Sequence, residues 1–444
     1  MSGPKYSLAT ATSVVVANMI GTGVFTCLGF QLLNISHYPA ILLLWLLGGL
    51  LSLIGAFCYA ELGSIFPNSG GEYRLLNNLY HPLLGFLSGW TSAIIGFSAP
   101  IALAAYSFSS YLSVFAPQIS IKHSAAIIIL LVAGIQSQSL SKGSQFQKTA
   151  TLVKVFLIVL FIVMGLFFTP TVKEFKLNFN SETIQTVFSW PFAAAMFWAS
   201  FAYSGWNASS YIAGEIKNPV KNLPKSLIYG SLIVSLLYFG LNFVFLKVAP
   251  FSELKVQMTE HGPQNIDTGN IAGRYIFGPK GSHITGLLIS LLLISSISAM
   301  TIAGSRVIAV IGSDYTCFSF FAKLRHGNTP VNAIGLQTIV SLILLYSGSF
   351  DHILRFTTFV LILFYTLTVS GLFIKKIRLH STVNRYKSPG YPLMPLLFVF
   401  CNVWFMIEAF INSPLDACIG MAIVLSGWPV YIMVQRFSKA KSAP

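Results

Sequence analysis

Residues 21–25, GTGVF, and residues 201–207, FAYSGWN, each interrupt a long apolar run with glycine, and the two lie about 180 residues apart. A helix in hydrocarbon satisfies its own backbone. Glycine-rich interruptions at corresponding places in two halves of a chain therefore imply unwound segments whose free amides and carbonyls face a cavity. The chemistry on offer differs between the two. At the first break the amides of Thr22, Gly23 and Val24 begin a new half-helix, where unpaired N–H groups and the positive end of the helix dipole suit a carboxylate. At the second, the carbonyls around Phe201, Ala202 and Ser204 end a half-helix and suit an ammonium group. Together they predict a site for a zwitterion whose side chain is left free. The competing reading makes Gly21 and Gly23 a close-packing surface between helices. Against it stand the GxG spacing, which is not small-xxx-small, and the neighbouring Asn18 and Thr22, which lipid disfavours.

Lys154 is the other chemically unusual residue, set in the apolar run TATLVKVFLIVL. If its helix begins near Lys148, a rise of 1.5 Å per residue places it roughly 10 Å into the membrane. An ammonium there either snorkels along its own stem to the membrane edge or has a partner in the interior.

The elements that must position these groups are legible from composition. With 55% hydrophobic residues, 9% charged residues and a mean hydropathy of +0.73 over 444 residues, the chain is expected to be an all-α polytopic membrane protein and not a soluble globule. Twelve apolar runs are long enough to cross a bilayer: 9–33, 40–66, 83–115, 123–140, 148–168, 186–213, 225–248, 284–312, 331–348, 352–374, 394–412 and 415–435. They fill a single membrane domain, 1–444. Its first five spans (9–168) open with one break and the next five (186–374) with the other, leaving the last two (394–435) outside. Five-span repeats lie in opposite orientations, so broken helices 1 and 6 belong to a 5+5 inverted repeat able to expose a midplane site to each face in turn. The N-terminal run lacks a small-residue cleavage site after a short apolar core and is expected to be mature protein.

The side of the membrane that carries both termini receives 18 lysines and arginines against 7 on the other, so both termini are expected in the cytoplasm. That asymmetry accounts for the net charge of +15. No soluble basic face exists for nucleic acid to use, so none is expected as a partner. Cys27, Cys58, Cys317, Cys401 and Cys418 show neither CxxC spacing nor histidine neighbours, and the eight histidines form no metal-spaced cluster. Neither a metal nor a cofactor is expected. Of the twelve acids, Glu61, Glu215 and Glu408 are expected in or beside the spans. A cationic side chain in a low-dielectric pocket needs a carboxylate partner, and none is expected near the breaks. The favoured ligand is a small neutral amino acid. Arg355 and His37 read as interfacial anchors.

Five stretches resemble one family. GTGVF matches a G-[ST]-G-[IV]-F pattern; YAELGSIFPNSGGEYRLL at 59–76, GEIKNPVKNLPKSL at 214–227, TPVNAI at 329–334 and YKSPGYPLMPLLFV at 386–399 complete the set. Jointly they resemble the amino acid–polyamine–organocation superfamily over almost the whole chain, which implies the LeuT-type fold. FAYSGWN is similar to the FAYxGWN of the L-type amino acid transporters, the light chains of heteromeric exchangers, and their prokaryotic relatives. By that resemblance Ile20, Thr22 and Gly23 bind the substrate carboxylate, Phe201 is the aromatic gate, Ser204 offers its carbonyl to the amino group, and Asn207 borders the pocket. Ser204 departs from the glycine common there, which narrows the pocket. Relatives that exchange arginine carry an acid where this chain has Asn207.

The resemblance also implies that Lys154 takes the place of a coupling sodium, with the hydroxyls of Ser295, Ser296 or Ser298 as neighbours. Two cations do not share one small desolvated site, so sodium-independent exchange is expected, with proton symport through the lysine as the alternative. The loop at 116–124 has no cysteine, so no disulfide-linked glycoprotein subunit is expected; this fits a prokaryotic inner-membrane carrier. A membrane enzyme would need an intramembrane acid, nucleophile or metal set. A non-transporting amino acid sensor would be told apart by the absence of flux.

Overall fold

A computed structural model describes residues 5–113, 115, 118–255, 257–259, 262–264, 268–325, 328–347, 350–374 and 385–440. Of the cations used to orient the chain, Lys375, Lys376, Arg378 and Lys441 lie outside these residues, as do Ala116 and Pro117 of the cysteine-free loop.

Among the described residues, nine helical stretches are long and apolar enough to cross a membrane, and Ile121–Gln136 and Val331–Ser347 are shorter apolar helices. Trp190–Ala202, at the sixth predicted run, adds one more. The first span is two helices, Leu8–Met19 and Gly23–Gln31. It starts where the Ser7 hydroxyl accepts the Thr10 amide at 3.2 Å, an N-cap of the ordinary kind. Prolines set the start of the second span, Tyr38–Ile65, the sixth, Trp190–Ala202, and the seventh, Pro219–Val248, because the missing N–H of proline is harmless in a first turn. The third, Pro82–Leu112, contains a π-helical turn at Ser92–Gly96. The eighth, Gly281–Asp314, is the longest; Phe350–Ser370, Leu393–Asn412 and Pro414–Ala440 complete the bundle.

Burial sorts the spans. The first is 94% buried over its most apolar stretch, the eighth 78% and the tenth 72%, whereas the fifth is 28% and the last two 33% each. The broken first span thus lies at the centre, and the fifth presents most of its surface outward while a narrow stripe, Gln147, Thr151, Lys154, Ile158 and Phe161, points in.

Three boundaries differ from expectation. The fifth span begins at Leu140, capped by Ser139, and not near Lys148. Its first two turns are polar, so hydropathy misses them. The connection between the second and third spans contains a helix, Glu72–Leu79, whose strongly one-sided polarity conceals it from a search for uniformly apolar runs. Between the seventh and eighth spans stand a short antiparallel strand pair, Gln257–Thr259 with Gly262–Gln264, and the helix Thr268–Phe277.

Candidate substrate site

The two sequence breaks are structural breaks, and they touch. Helix Leu8–Met19 stops at Ile20, and the chain turns through Gly21 and Thr22 before Gly23 starts the next helix. The sixth span stops at Ala202, runs through a turn over 203–207, and resumes as a 3₁₀ helix at Ala208–Glu215. A Cβ on Gly23 would come within 2.6 Å of the Ala202 Cα, and one on Gly205 within 2.9 Å of the Asn18 carbonyl carbon. Gly205 also has φ +92°, a conformation open to glycine. Around Gly21, by contrast, nothing lies within 4 Å of the Cβ position. The two glycines of GTGVF therefore divide the readings between them: Gly23 is a close-approach residue, and Gly21 faces open space.

Among the described residues no backbone carbonyl accepts from the amides of Thr22, Gly23 or Val24, all three buried. They form the free N-terminal turn of the half-helix. On the facing segment, the Phe201 carbonyl already accepts the Ser204 amide at 3.0 Å and the Gly205 carbonyl the Ala208 amide at 3.0 Å, while those of Ala202 and Ser204 receive no backbone donor. Phe201 is buried in the last turn before the break and Ser204 is half-buried. The half-helices are joined by Phe30 stacked on Trp198, ring centroids 4.4 Å apart.

Lys154 does not snorkel. It is fully buried, and its Nζ donates to the Ile20 carbonyl at 2.7 Å, the Ser296 hydroxyl at 2.7 Å and the Ala17 carbonyl at 3.4 Å. Ser296 also donates to Ile20 at 2.6 Å. Of the three serines proposed as neighbours only this one reaches the lysine. The Ser298 hydroxyl donates to Gln147 Oε1 at 2.6 Å and accepts from Gln136 at 2.8 Å, and Ser295 lies 3.4 Å from both Gln147 and Thr151. Ser295 and Ser298, three apart, share one helix face and both meet Gln147, whereas Ser296 is turned to another and meets the lysine.

Sequence reasoning missed two supports. The Tyr238 hydroxyl of the seventh span donates to the Met19 carbonyl at 2.6 Å, satisfying a group the first break releases. Glu72, left out of the acids placed near the spans, is buried, accepts the Tyr59 hydroxyl at 2.8 Å and accepts the Asn207 amide. Asn207 is thus turned toward Glu72 and the Tyr211 hydroxyl, 2.9 Å away. Arg355 is more than an interfacial anchor: it bonds Asp351 at 3.0 Å and Ser413 at 2.7 Å, and its guanidinium lies 5.0 Å from the Trp198 ring centroid.

A helical bundle that turns its broken backbone and a buried ammonium inward, away from lipid, is a multi-pass membrane protein with a polar interior site. Comparison with known proteins gives the rest. The amino acid permease family profile matches residues 6–434, and the chain belongs to that family. It is 28% identical to the large neutral amino acids transporter small subunit 2 of Homo sapiens, covering 97% of this chain and 80% of that one. It is 27% identical to the human b(0,+)-type amino acid transporter 1, covering 98% and 88%. It is 28% identical to the serine/threonine exchanger SteT of Bacillus subtilis (strain 168), covering 97% of each. The protein is an amino acid transporter and not an enzyme.

Proposed function

We propose that the protein exchanges small neutral amino acids across the inner membrane, independently of sodium, by alternating access of a LeuT-type 5+5 inverted repeat (9–168 and 186–374), with both termini cytoplasmic. The substrate carboxylate lies on the amides of Thr22, Gly23 and Val24 beside Ile20. The ammonium lies on the carbonyls of Ala202 and Ser204, and Phe201 closes over it as the gate. The side chain projects into the space at Gly21. The free amides and the free carbonyls belong to facing segments in van der Waals contact through Gly23 and Ala202, which supports a ligand carrying both charges.

One observation carries the sodium-independent part: the Lys154 ammonium sits on the Ile20 carbonyl and the Ser296 hydroxyl, two oxygen ligands of the kind a hard cation takes. A second cation beside a desolvated ammonium is strongly disfavoured. The names of the relatives, a large neutral amino acids transporter subunit and a serine/threonine exchanger, favour neutral amino acids, and the second favours small ones.

The test is uptake of labelled serine, alanine or leucine into liposomes holding the purified protein, with and without unlabelled amino acid inside. Stimulation by internal substrate, indifferent to sodium, is expected. Accumulation in empty liposomes under an imposed pH gradient would replace exchange with proton symport, and no flux of any amino acid would remove the transport site proposed here.

A further inference from the structure

Glu72 lies outside the substrate site yet holds one end of it. It opens the helix Glu72–Leu79 and is 2% exposed. Its Oε1 accepts two donors, the Tyr59 hydroxyl and the Asn207 side-chain amide. Tyr59 meets Trp206 edge-on, ring centroids 4.8 Å apart. The turn preceding Glu72 is docked on the same stretch of chain by backbone bonds, Gly70 N–H to the Tyr211 carbonyl at 3.0 Å and Gly71 N–H to the Ser210 carbonyl at 3.3 Å. Gly71 permits this approach, since a Cβ there would come within 2.2 Å of the Tyr211 ring and its φ is +53°.

The segment 203–207 is a run of turns and not a continuous helix. Its backbone bonds are short-range: Tyr203 N–H to the Ala199 carbonyl at 2.9 Å, Ser204 N–H to Phe201 at 3.0 Å, Ala208 N–H to Gly205 at 3.0 Å and Ser210 N–H to Asn207 at 2.9 Å. Side chains tie these turns to the rest of the bundle: the Tyr203 hydroxyl donates to the Trp45 carbonyl at 2.8 Å, and Asn207, the last residue of the segment, is held by a buried acid. Among the described residues no ion pair involves Glu72. A buried carboxyl without a cation is costly, and the donors that offset that cost are the same groups that fix Asn207 and Tyr59.

We propose that Glu72 is a positioning residue for the substrate site, fixing the end of the sixth-span break through Asn207 and so setting substrate affinity without touching substrate. The proposal rests on the reading of 201–207 as the ammonium half of the site. Losing Glu72 leaves the Asn207 and Tyr59 donors without their acceptor, and the carbonyls of Ala202 and Ser204 then lose the geometry that selects the ammonium.

The experiment is saturation kinetics of labelled serine exchange in proteoliposomes for the wild type, E72A, N207A, the E72A/N207A double variant and E72Q. E72A and N207A are each expected to raise KM about 10-fold or more while Vmax stays within about 3-fold, the signature of altered binding geometry. The double variant is expected to be no worse than either single one, because both act through one bond. E72Q keeps an acceptor oxygen for Asn207 and Tyr59 and is expected to restore KM to within about 3-fold of wild type. Additive effects, an unchanged KM in E72A, or E72Q as impaired as E72A would each overturn the proposal. Should E72A fail to fold, E72D takes its place: by withdrawing the carboxyl it must raise KM in the wild-type background and do nothing in N207A, and an effect in both backgrounds overturns it. No uptake by the wild type removes the site reading and this proposal together; wild-type uptake with E72A unchanged removes this proposal alone.

Discussion

The ammonium of Lys154 and the carbonyl of Ile20 are 2.7 Å apart, and the hydroxyl of Ser296 reaches the same carbonyl at 2.6 Å. Three spans, the first, fifth and eighth, therefore converge on one backbone oxygen. That oxygen is free because the helix ends at Met19. A carbonyl exposed by a helix break inside hydrocarbon must find a donor, and a lysine on the buried stripe of the fifth span supplies it. The proposed substrate site and the lysine are thus two uses of one break, its amides on one side and its carbonyl on the other.

Lys154→Met tests that arrangement. The thioether chain fills the volume, and Ile20 keeps its Ser296 hydroxyl, so the protein is expected to remain folded. Exchange is expected to fall by about 10-fold or more, since a bond to a charged donor contributes about 1.5–3 kcal/mol. Initial rates in proteoliposomes, with size-exclusion profiles as the control for folding, give the answer; full exchange by the variant would show that the ammonium serves packing alone.

Gly21→Ala and Gly23→Ala should part company. The methyl of Gly23→Ala would press on the Ala202 backbone at 2.6 Å, and backbone cannot swing aside. It is expected to cost about 1–3 kcal/mol, as overpacking does, and to lower the apparent melting temperature in detergent. Gly21→Ala meets nothing within 4 Å and is expected to fold normally while weakening the larger substrates more than serine. Equal thermal losses in the two variants would contradict the division of roles between these glycines.

Tyr238→Phe removes one hydroxyl, the donor to Met19 at 2.6 Å. The Gly21 amide, 2.9 Å from the same carbonyl, remains. The loss is therefore expected to be modest, about 1 kcal/mol, and to appear as weaker substrate binding, because the residue freed is adjacent to Ile20. Competition binding on purified protein would measure it. An unchanged affinity would mean that the Gly21 bond alone holds the end of the first half-helix.

How far the sequence led can be judged at particular residues. GTGVF and FAYSGWN were legible because glycine stands out in an apolar run and lipid forbids an unpaired backbone. Lys154 was legible for the same reason, one charge among aliphatics. Its partner was not: Ser295, Ser296 and Ser298 differ by helical phase, and phase depends on how the eighth span is rotated against the first and fifth. Glu72 was hidden because polar neighbours surround it in the sequence. Only the fold shows that its turn tucks back against Ser210 and Tyr211. The start of the fifth span at Leu140 escaped because its first turns are polar, and hydropathy reports what faces lipid, not where a helix begins.

Glu215, just beyond the sixth span, makes a prediction about pH. Burial pushes its carboxyl above the usual glutamate range, and the Arg306 guanidinium, 2.6 Å away, pulls it back. A carboxyl whose value is raised on folding holds its proton more tightly in the native state than in the unfolded one. Its contribution to stability therefore declines as pH rises from the ordinary glutamate value through the raised one. Arg306→Ala removes the lowering influence, so the raised value climbs and the declining interval extends to higher pH. Apparent melting temperatures between about pH 5 and pH 8 are expected to fall more steeply in this variant than in the wild type. Adding Glu215→Gln removes the titrating group and is expected to flatten the slope. A slope in the double variant as steep as in Arg306→Ala would assign the pH dependence to another group.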